Sequence, residues 1–147
     1  MSMFSAFNIN ASGLTAQRLR MDVISENVAN ASTTRTEDGT PYRRKVVTFA
    51  QKGNQTSFSK VLGNLSKGYS GQGVKVDGIH EDYSSEMKMV YDPSHPDADE
   101  NGYVTYPNVN IITEMTNLID ASRAYEANST AFNASKSMAL QGLELNK

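Results

Sequence analysis

An α+β fold, with long N- and C-terminal helices forming a coiled coil and a small, mostly antiparallel β domain between them, follows from three observations on this 147-residue sequence. Apolar residues recur at helical spacing through both ends of the chain. Runs of β-branched and aromatic residues are confined to the middle. All four prolines (Pro41, Pro93, Pro96, Pro107) also lie in that middle, while the flanks hold only Gly13 and Gly142. These shifts divide the chain into an N-terminal helix at 1–33, a β-rich domain at 34–107 and a C-terminal helix at 108–147.

In the first stretch Phe4, Phe7, Ala11, Leu14, Met21 and Val28 fall at heptad spacing, with Arg18 and Ser25 in the remaining slots. Ser12 or Thr15 can start its well-formed part, where Leu19, Met21, Val23, Ile24 and Val28 supply an apolar face. The middle predicts strands at 43–51, 74–79 and 86–91, joined in one small antiparallel sheet. Alternation of Met87, Met89 and Tyr91 with smaller or charged neighbours predicts that these three line a buried face. Residues 57–65 read as a short helix or a loop, and 67–73 as loop.

The last stretch gives the clearest period. Ile111, Met115, Leu118, Ser122, Tyr125, Ser129, Phe132, Lys136, Ala139 and Leu143 alternate steps of four and three. Pro107 precedes the pattern, and Asn108 or Asn110 can cap its first turn by accepting from unpaired backbone N–H groups. One column (Ile111, Leu118, Tyr125, Phe132, Ala139) is apolar throughout; the other mixes Met115 and Leu143 with Ser122, Ser129 and Lys136. At 1.5 Å per residue this helix runs roughly 50 Å.

Both seams are therefore soft. Ala121, Ala124, Ala127, Ala131 and Ala134, read as outer-face residues, would let further helices approach closely. Such small side chains bury little apolar area at about 25 cal/mol per Å². Periodicity leaves two readings open: a solvated helix pair, or helices completed by other chains.

Composition removes several function classes. Fourteen basic against sixteen acidic residues leave a net charge of −2, which disfavours a nucleic-acid partner. The absence of Cys excludes a disulfide framework, a thiolate zinc site and a thiol nucleophile. No apolar run exceeds three residues, against about 20 for a spanning helix, so no direct membrane insertion is expected. Met1 to Asn10 contain neither Lys, Arg nor an apolar core, so a cleavable secretory signal is not expected either. His95, Asp97, Asp99 and Glu100 are metal-compatible types, and a metal hydrolase using this loop is the enzyme-class rival. They crowd one Pro-punctuated loop with no second ligand cluster, and Asp92-Pro93 and His95-Pro96 read better as a rigid turn. No catalytic residue, cofactor or metal is expected.

The run from Ser12 to Thr34, SGLTAQRLRMDVISENVANASTT, resembles the N-terminal signature of bacterial flagellar basal-body rod and hook proteins. Glu114-Met115 followed by Ala121 to Asn128 (ASRAYEAN) resembles the paired C-terminal motif of that family. Within it, the segments GTPYRR at 39–44 and YDPSHPDAD at 91–99 are similar to proximal-rod members, as are Gly102-Tyr103-Val104 and Pro107-Asn108-Val109. The resemblance implies a structural, non-enzymatic subunit of the rod that crosses the periplasm and carries torque from the motor to the hook. It implies export through the flagellar type III apparatus. It also implies terminal helices in the inner coiled-coil layer of a helical tube, with copies of the chain and other rod proteins as partners. On that reading Leu14, Leu19, Met21, Ile24, Val28, Met115, Leu118, Tyr125 and Phe132 are the assembly and packing residues.

Charge is unevenly distributed in the middle. Residues 37–75 hold seven basic and two acidic groups, and residues 76–107 hold eight acidic groups against Lys88. A tube built by one repeated screw operation needs unlike patches to meet. Two arrangements answer to this: the basic half, with Arg43, Arg44 and Lys45 foremost, against the acidic half of a neighbour, or, as weak surface ion pairs favour, the two halves side by side and neutralised within one domain.

Overall fold

The computed structural model describes residues 3–53 and 72–144. The segment 57–65 lies outside the described residues, as does most of 67–73. The order of elements is α1 (Met3–Ala29), β1 (Lys45–Gln51), β2 (Val74–Glu81), β3 (Lys88–Tyr91), β4 (Tyr103–Tyr106) and α2 (Ile111–Glu144). The architecture is α+β, with two long helices flanking short strands.

Helix α1 runs unbroken through Ser12 and Thr15, so neither residue starts it. The Ser12 hydroxyl donates to the Ile9 carbonyl at 2.7 Å and the Thr15 hydroxyl to the Ala11 carbonyl at 3.0 Å. Both follow the back-bonding habit of Ser and Thr inside helices. Helix α2 begins as expected at an Asn cap: Asn110 Oδ1 accepts from the backbone N–H groups of Ile112 (3.0 Å) and Thr113 (3.3 Å).

The strands form two separate two-stranded sheets rather than one. In the first, Lys52 N–H donates to Gly73 C=O and Asp82 N–H to Arg44 C=O, both at 2.8 Å, so β1 and β2 run antiparallel. The chain then leaves the ladder at Asp82. Its carboxylate accepts from the backbone and hydroxyl of both Ser84 and Ser85, a turn that separates β2 from β3. In the second sheet β3 pairs with β4, a strand not predicted by sequence pattern, in the antiparallel register Lys88↔Tyr106 to Tyr91↔Tyr103.

That register reverses the expected buried face. Val90 lies opposite Val104, which is fully buried, whereas Met89 is 61% exposed and Tyr91 64%. Alternation distinguishes the two faces of a strand but does not say which one turns inward. Here the smaller β-branched pair is inside.

The chain forms two compact units, each drawing on distant segments. Unit one comprises Met1–Leu19, Phe49–Asp77 and Ser122–Lys147; unit two comprises Arg20–Thr48 and Gly78–Ala121. In unit one, α1 and α2 run antiparallel. The Phe7 ring meets Phe132 edge-on at 5.2 Å, and Asn10 Nδ2 donates to Ser135 Oγ at 3.4 Å. Gly13 is set so closely against α2 that a Cβ would stand 2.8 Å from Asn128 Oδ1.

The seam positions are displaced by one residue from part of the expected pattern. Gly13, Ala16, Val23, Ile24 and Asn27 are the buried positions of α1, and Glu114, Ala121 and Ala139 those of α2. Asn128 and Ser135, at the next steps of seven from Ala121, are half-buried. The expected column through Met115 and Leu143 is mostly exposed, and Ala121 is an inside residue rather than an outer one. Small and hydrogen-bonding side chains occupy the seam because they let the backbones approach.

Residues 73 and 74 seal the hairpin onto α1 in the same unit. Gly73 has φ +90°, a Cβ there would fall on Ser12 Oγ, and Val74 N–H donates to that oxygen at 3.1 Å. Gly73→Ala combines left-handed strain with a collision and is expected to cost about 1–3 kcal/mol of stability. Urea unfolding followed by circular dichroism measures this.

Candidate functional site

Unit two is organised around a carboxylate that has almost no contact with water. Glu114, in the first turn of α2, is 1% exposed, and Asn27, near the end of α1, is 0% exposed. Asn27 Nδ2 donates to Glu114 Oε2 at 3.0 Å. Arg44 Nε and Nη2 both donate to Oε1, at 2.9 and 2.8 Å. Burying a carboxylate without partners is prohibitively costly, whereas charge-assisted, two-pronged pairing with Arg offsets much of that cost.

Asn27 uses every hydrogen-bonding position of its amide. Its second Nδ2 proton goes to Lys45 C=O (2.8 Å), while Oδ1 accepts from Lys45 N–H (2.8 Å) and the Tyr42 hydroxyl (2.9 Å). The side chain thus pairs with the first residue of β1 as a neighbouring strand would. Arg44 Nη1 also reaches Asp82 Oδ2 at 3.3 Å. Asn108 completes the shell by accepting from Arg44 N–H (2.8 Å) and donating to the carbonyls of Asp82 and Ser85. The C-terminal end of α1, the start of β1, the turn after β2 and the first turn of α2 converge on one polar cluster.

The electrostatics follow from this packing. Burial opposes the charge on Arg44, but the hydrogen bonds and charge of Glu114, followed by those of Asp82, outweigh it and leave the guanidinium pKa raised. Burial, followed by the charges of Glu26, Glu114 and Glu81, pushes Tyr42 up to about 12. Hydrogen bonds from Ser84 and Ser85 hold Asp82 well below the usual carboxylate range. The cluster positions backbone; its polar groups are directed at one another.

Of the nine residues expected to pack in an assembly, Ile24 is buried within the chain, and Leu14, Leu19, Met21, Val28, Leu118 and Phe132 are half-buried. Met115 and Tyr125 are exposed. The three basic residues all have intrachain partners. Arg44 is in the cluster, Lys45 Nζ pairs with Glu26, and Arg43 lies over the Tyr83 ring at 4.3 Å while donating to the Asp82 carbonyl. Of their acidic partners only Asp82 belongs to the half at 76–107; Glu26 and Glu114 lie in the helices.

In the 92–103 loop, His95 Nδ1 accepts from Asp97 N–H, Asp97 accepts from the Thr34 hydroxyl, and Asp99 accepts from Asn101 and Tyr103 N–H. These side chains fix the turn. Outside the cluster, the first turns of α2 expose Ile112 (78%), Met115 and Ile119, spaced three and four apart on one face. Sequence reading placed Asn27, Tyr42 and Glu114 within motifs but did not find them as site residues. The usable signal was a pair of polar residues standing where a helix seam otherwise asks for apolar ones.

Glu114→Ala should leave Arg44 and Asn27 buried without their acceptor and cost about 3–5 kcal/mol, with Glu114→Gln milder. Chemical denaturation measures both. The phenol of Tyr42 should titrate near pH 12, after an ordinary tyrosine at about 10. Because its folded pKa is raised, its contribution to stability is complete below pH 10 and declines between 10 and 12. Ultraviolet absorbance titration should lose this late step in Tyr42→Phe.

The chain matches two sequence families: "Flagella basal body rod protein" over residues 7–35 and "Flagellar basal body rod FlgEFG protein C-terminal" over residues 100–145. It is 52% identical over 144 residues to the flagellar basal-body rod protein FlgC of Borreliella burgdorferi, covering 94% of this chain and 93% of that protein. It is 48% identical over 153 residues to FlgC of Bacillus subtilis, covering 100% of both. To FlgC of Salmonella typhimurium it is 40% identical over 145 residues, covering 99% of this chain and 98% of the relative. Two terminal helices, the short sheets between them and end-to-end similarity coincide: the chain belongs to the FlgC-type family of bacterial flagellar basal-body rod proteins.

Proposed function

We propose that this chain is a structural subunit of the proximal rod of the flagellar basal body. It stacks helically through its terminal helices into the shaft that carries torque from the motor to the hook. Its location is the rod crossing the periplasm, its partners are copies of itself and other rod proteins, and the flagellar type III apparatus delivers it. Its role is mechanical rather than catalytic. Leu14, Leu19, Met21, Ile24, Val28, Met115, Leu118, Tyr125 and Phe132 contribute the packing in the assembled coiled-coil layer.

The observation that carries this reading is the mismatch between the two sides of α2. Its inward positions include Glu114 and Ala121, whereas Ile112, Met115 and Ile119 face solvent. A helix that turns its larger apolar residues outward has a surface suited to a further helix. Full burial of each such side chain contributes about 1.5–3 kcal/mol. Similarity to basal-body rod proteins over nearly the whole chain supports neighbouring rod subunits as the occupants.

Ile112→Asp combined with Ile119→Asp should leave the unfolding midpoint of the isolated chain nearly unchanged, because both side chains already contact water. Incorporation should fall at least tenfold, read as the amount of chain in purified basal bodies, and motility should be lost. Normal incorporation of the doubly substituted chain would contradict the role given to this face.

A further inference from the structure

The turn that leads into β4 contains the one Asn-Gly pair of the sequence. Of thirteen asparagines, Asn101 alone is followed by glycine. That dipeptide is the most reactive setting for an asparagine amide, because a residue without a side chain leaves its backbone nitrogen unhindered as it approaches the preceding Cγ. The fold itself demands the glycine. Gly102 has φ +81°, and a Cβ there would stand 3.0 Å from the Tyr91 ring and 3.2 Å from Cβ of Pro93. The shape of the turn therefore sets a glycine beside an exposed asparagine.

The same turn withholds the nucleophile. Gly102 is buried, and its N–H donates to Asp99 C=O at 3.0 Å. Asp99 Oδ1 accepts from Asn101 N–H at 2.9 Å and from Tyr103 N–H at 2.8 Å, while Asp99 N–H donates to Tyr103 C=O at 2.9 Å. On the other side, Gly102 C=O accepts from Asp92 N–H at 2.9 Å. These bonds hold the peptide planes before and after Asn101, so the Gly102 nitrogen reaches Asn101 Cγ only after the turn has opened. A proton already shared with a carbonyl, in a buried peptide next to a carboxylate, is also harder for hydroxide to remove.

We propose that Asn101-Gly102 is a site of spontaneous deamidation, closed in the folded chain by the turn centred on Asp99 and open in the unfolded one. The chemistry needs only water. Once hydroxide has taken the Gly102 N–H proton, that nitrogen bonds to Asn101 Cγ, and the Cγ–Nδ2 bond breaks with loss of ammonia. Water then opens the cyclic imide at one of its two carbonyls, leaving aspartate or isoaspartate at 101. Isoaspartate routes the backbone through Cβ and lengthens the turn by one atom. Gly102 then no longer meets Asp99 and Asp92 together, and the pairing of Tyr91 with Tyr103 is disturbed. Either product adds a carboxylate to a loop that already holds Asp97, Asp99 and Glu100. Folding thus preserves the hairpin chemically, whatever assembly the chain enters.

Purified full chain is incubated at mildly alkaline pH, native and in guanidinium, and the tryptic peptide between Lys88 and Arg123 is followed by mass spectrometry. The unfolded chain should gain the mass of an amide-to-acid conversion at Asn101, and Asn101→Gln should remove that gain. The native chain should react at least about tenfold more slowly, because it must open before it reacts. Equal rates in the two states, or no conversion in guanidinium, would overturn the proposal. Asp99→Ala, with its fold checked by circular dichroism, should speed the native reaction about fivefold or more. An unchanged rate in that folded variant overturns the proposal too. A measurement on the unaltered chain decides the matter even where the variant does not fold: amide hydrogen exchange should find Gly102 N–H protected by a factor that matches the slowing of deamidation. An unprotected Gly102 N–H overturns the proposal.

Discussion

A carboxylate removed from water must be surrounded by donors, and Glu114 meets that requirement with groups from three separated parts of the chain. Asn27 comes from α1, Arg44 from the residue before β1, and Asn117 from the next turn of α2. Each donor is itself fixed: Asn27 by the backbone of Lys45 and the hydroxyl of Tyr42, and Arg44 by Asp82 and Asn108. Removing one member leaves its neighbours with buried, unmatched polarity, and this couples the positions of the segments to one another. Unit two owes its arrangement more to this constraint than to its apolar core, which consists of a few side chains such as Val23, Ile24 and Val104.

Short and polar side chains also mark the buried helix positions in each unit: Ala121 with Asn27 and Glu114 in unit two, Gly13 and Ala16 in unit one. Larger apolar residues such as Ile112, Met115 and Ile119 are displaced to the outside of α2. In a protein working alone such a surface would be a solubility liability. On the proposed reading it is the surface that neighbouring chains would cover.

Much of the architecture was legible in the sequence because its signals are local. The Asn110 cap, the long period of α2 and three of the four strands depend on residues near one another in the chain. The misreadings share a different character. The one-residue displacement of the second seam column from Met115 to Glu114 arises because the buried carboxylate is matched by Asn27 and Arg44, 87 and 70 residues away, which no periodicity records. The inverted face of β3 has a similar origin: Val90 turns inward because its direct partner across the ladder is Val104. Ser12 looked like a helix start because hydroxyls favour caps, but its oxygen is engaged by the Val74 backbone. In each case the deciding partner is far along the chain.

Both compact units are stitched from remote stretches: the first needs residues from each end of the chain, and the second joins the end of α1 to the start of α2. Neither can close before its most distant segment has been made, because Phe132 must be available to Phe7 and Glu114 to Asn27. Bringing such distant partners together carries a loop-closure cost before any contact repays it, which slows folding. A topology of this kind leaves the polypeptide open for longer than one built from contacts between neighbours in sequence.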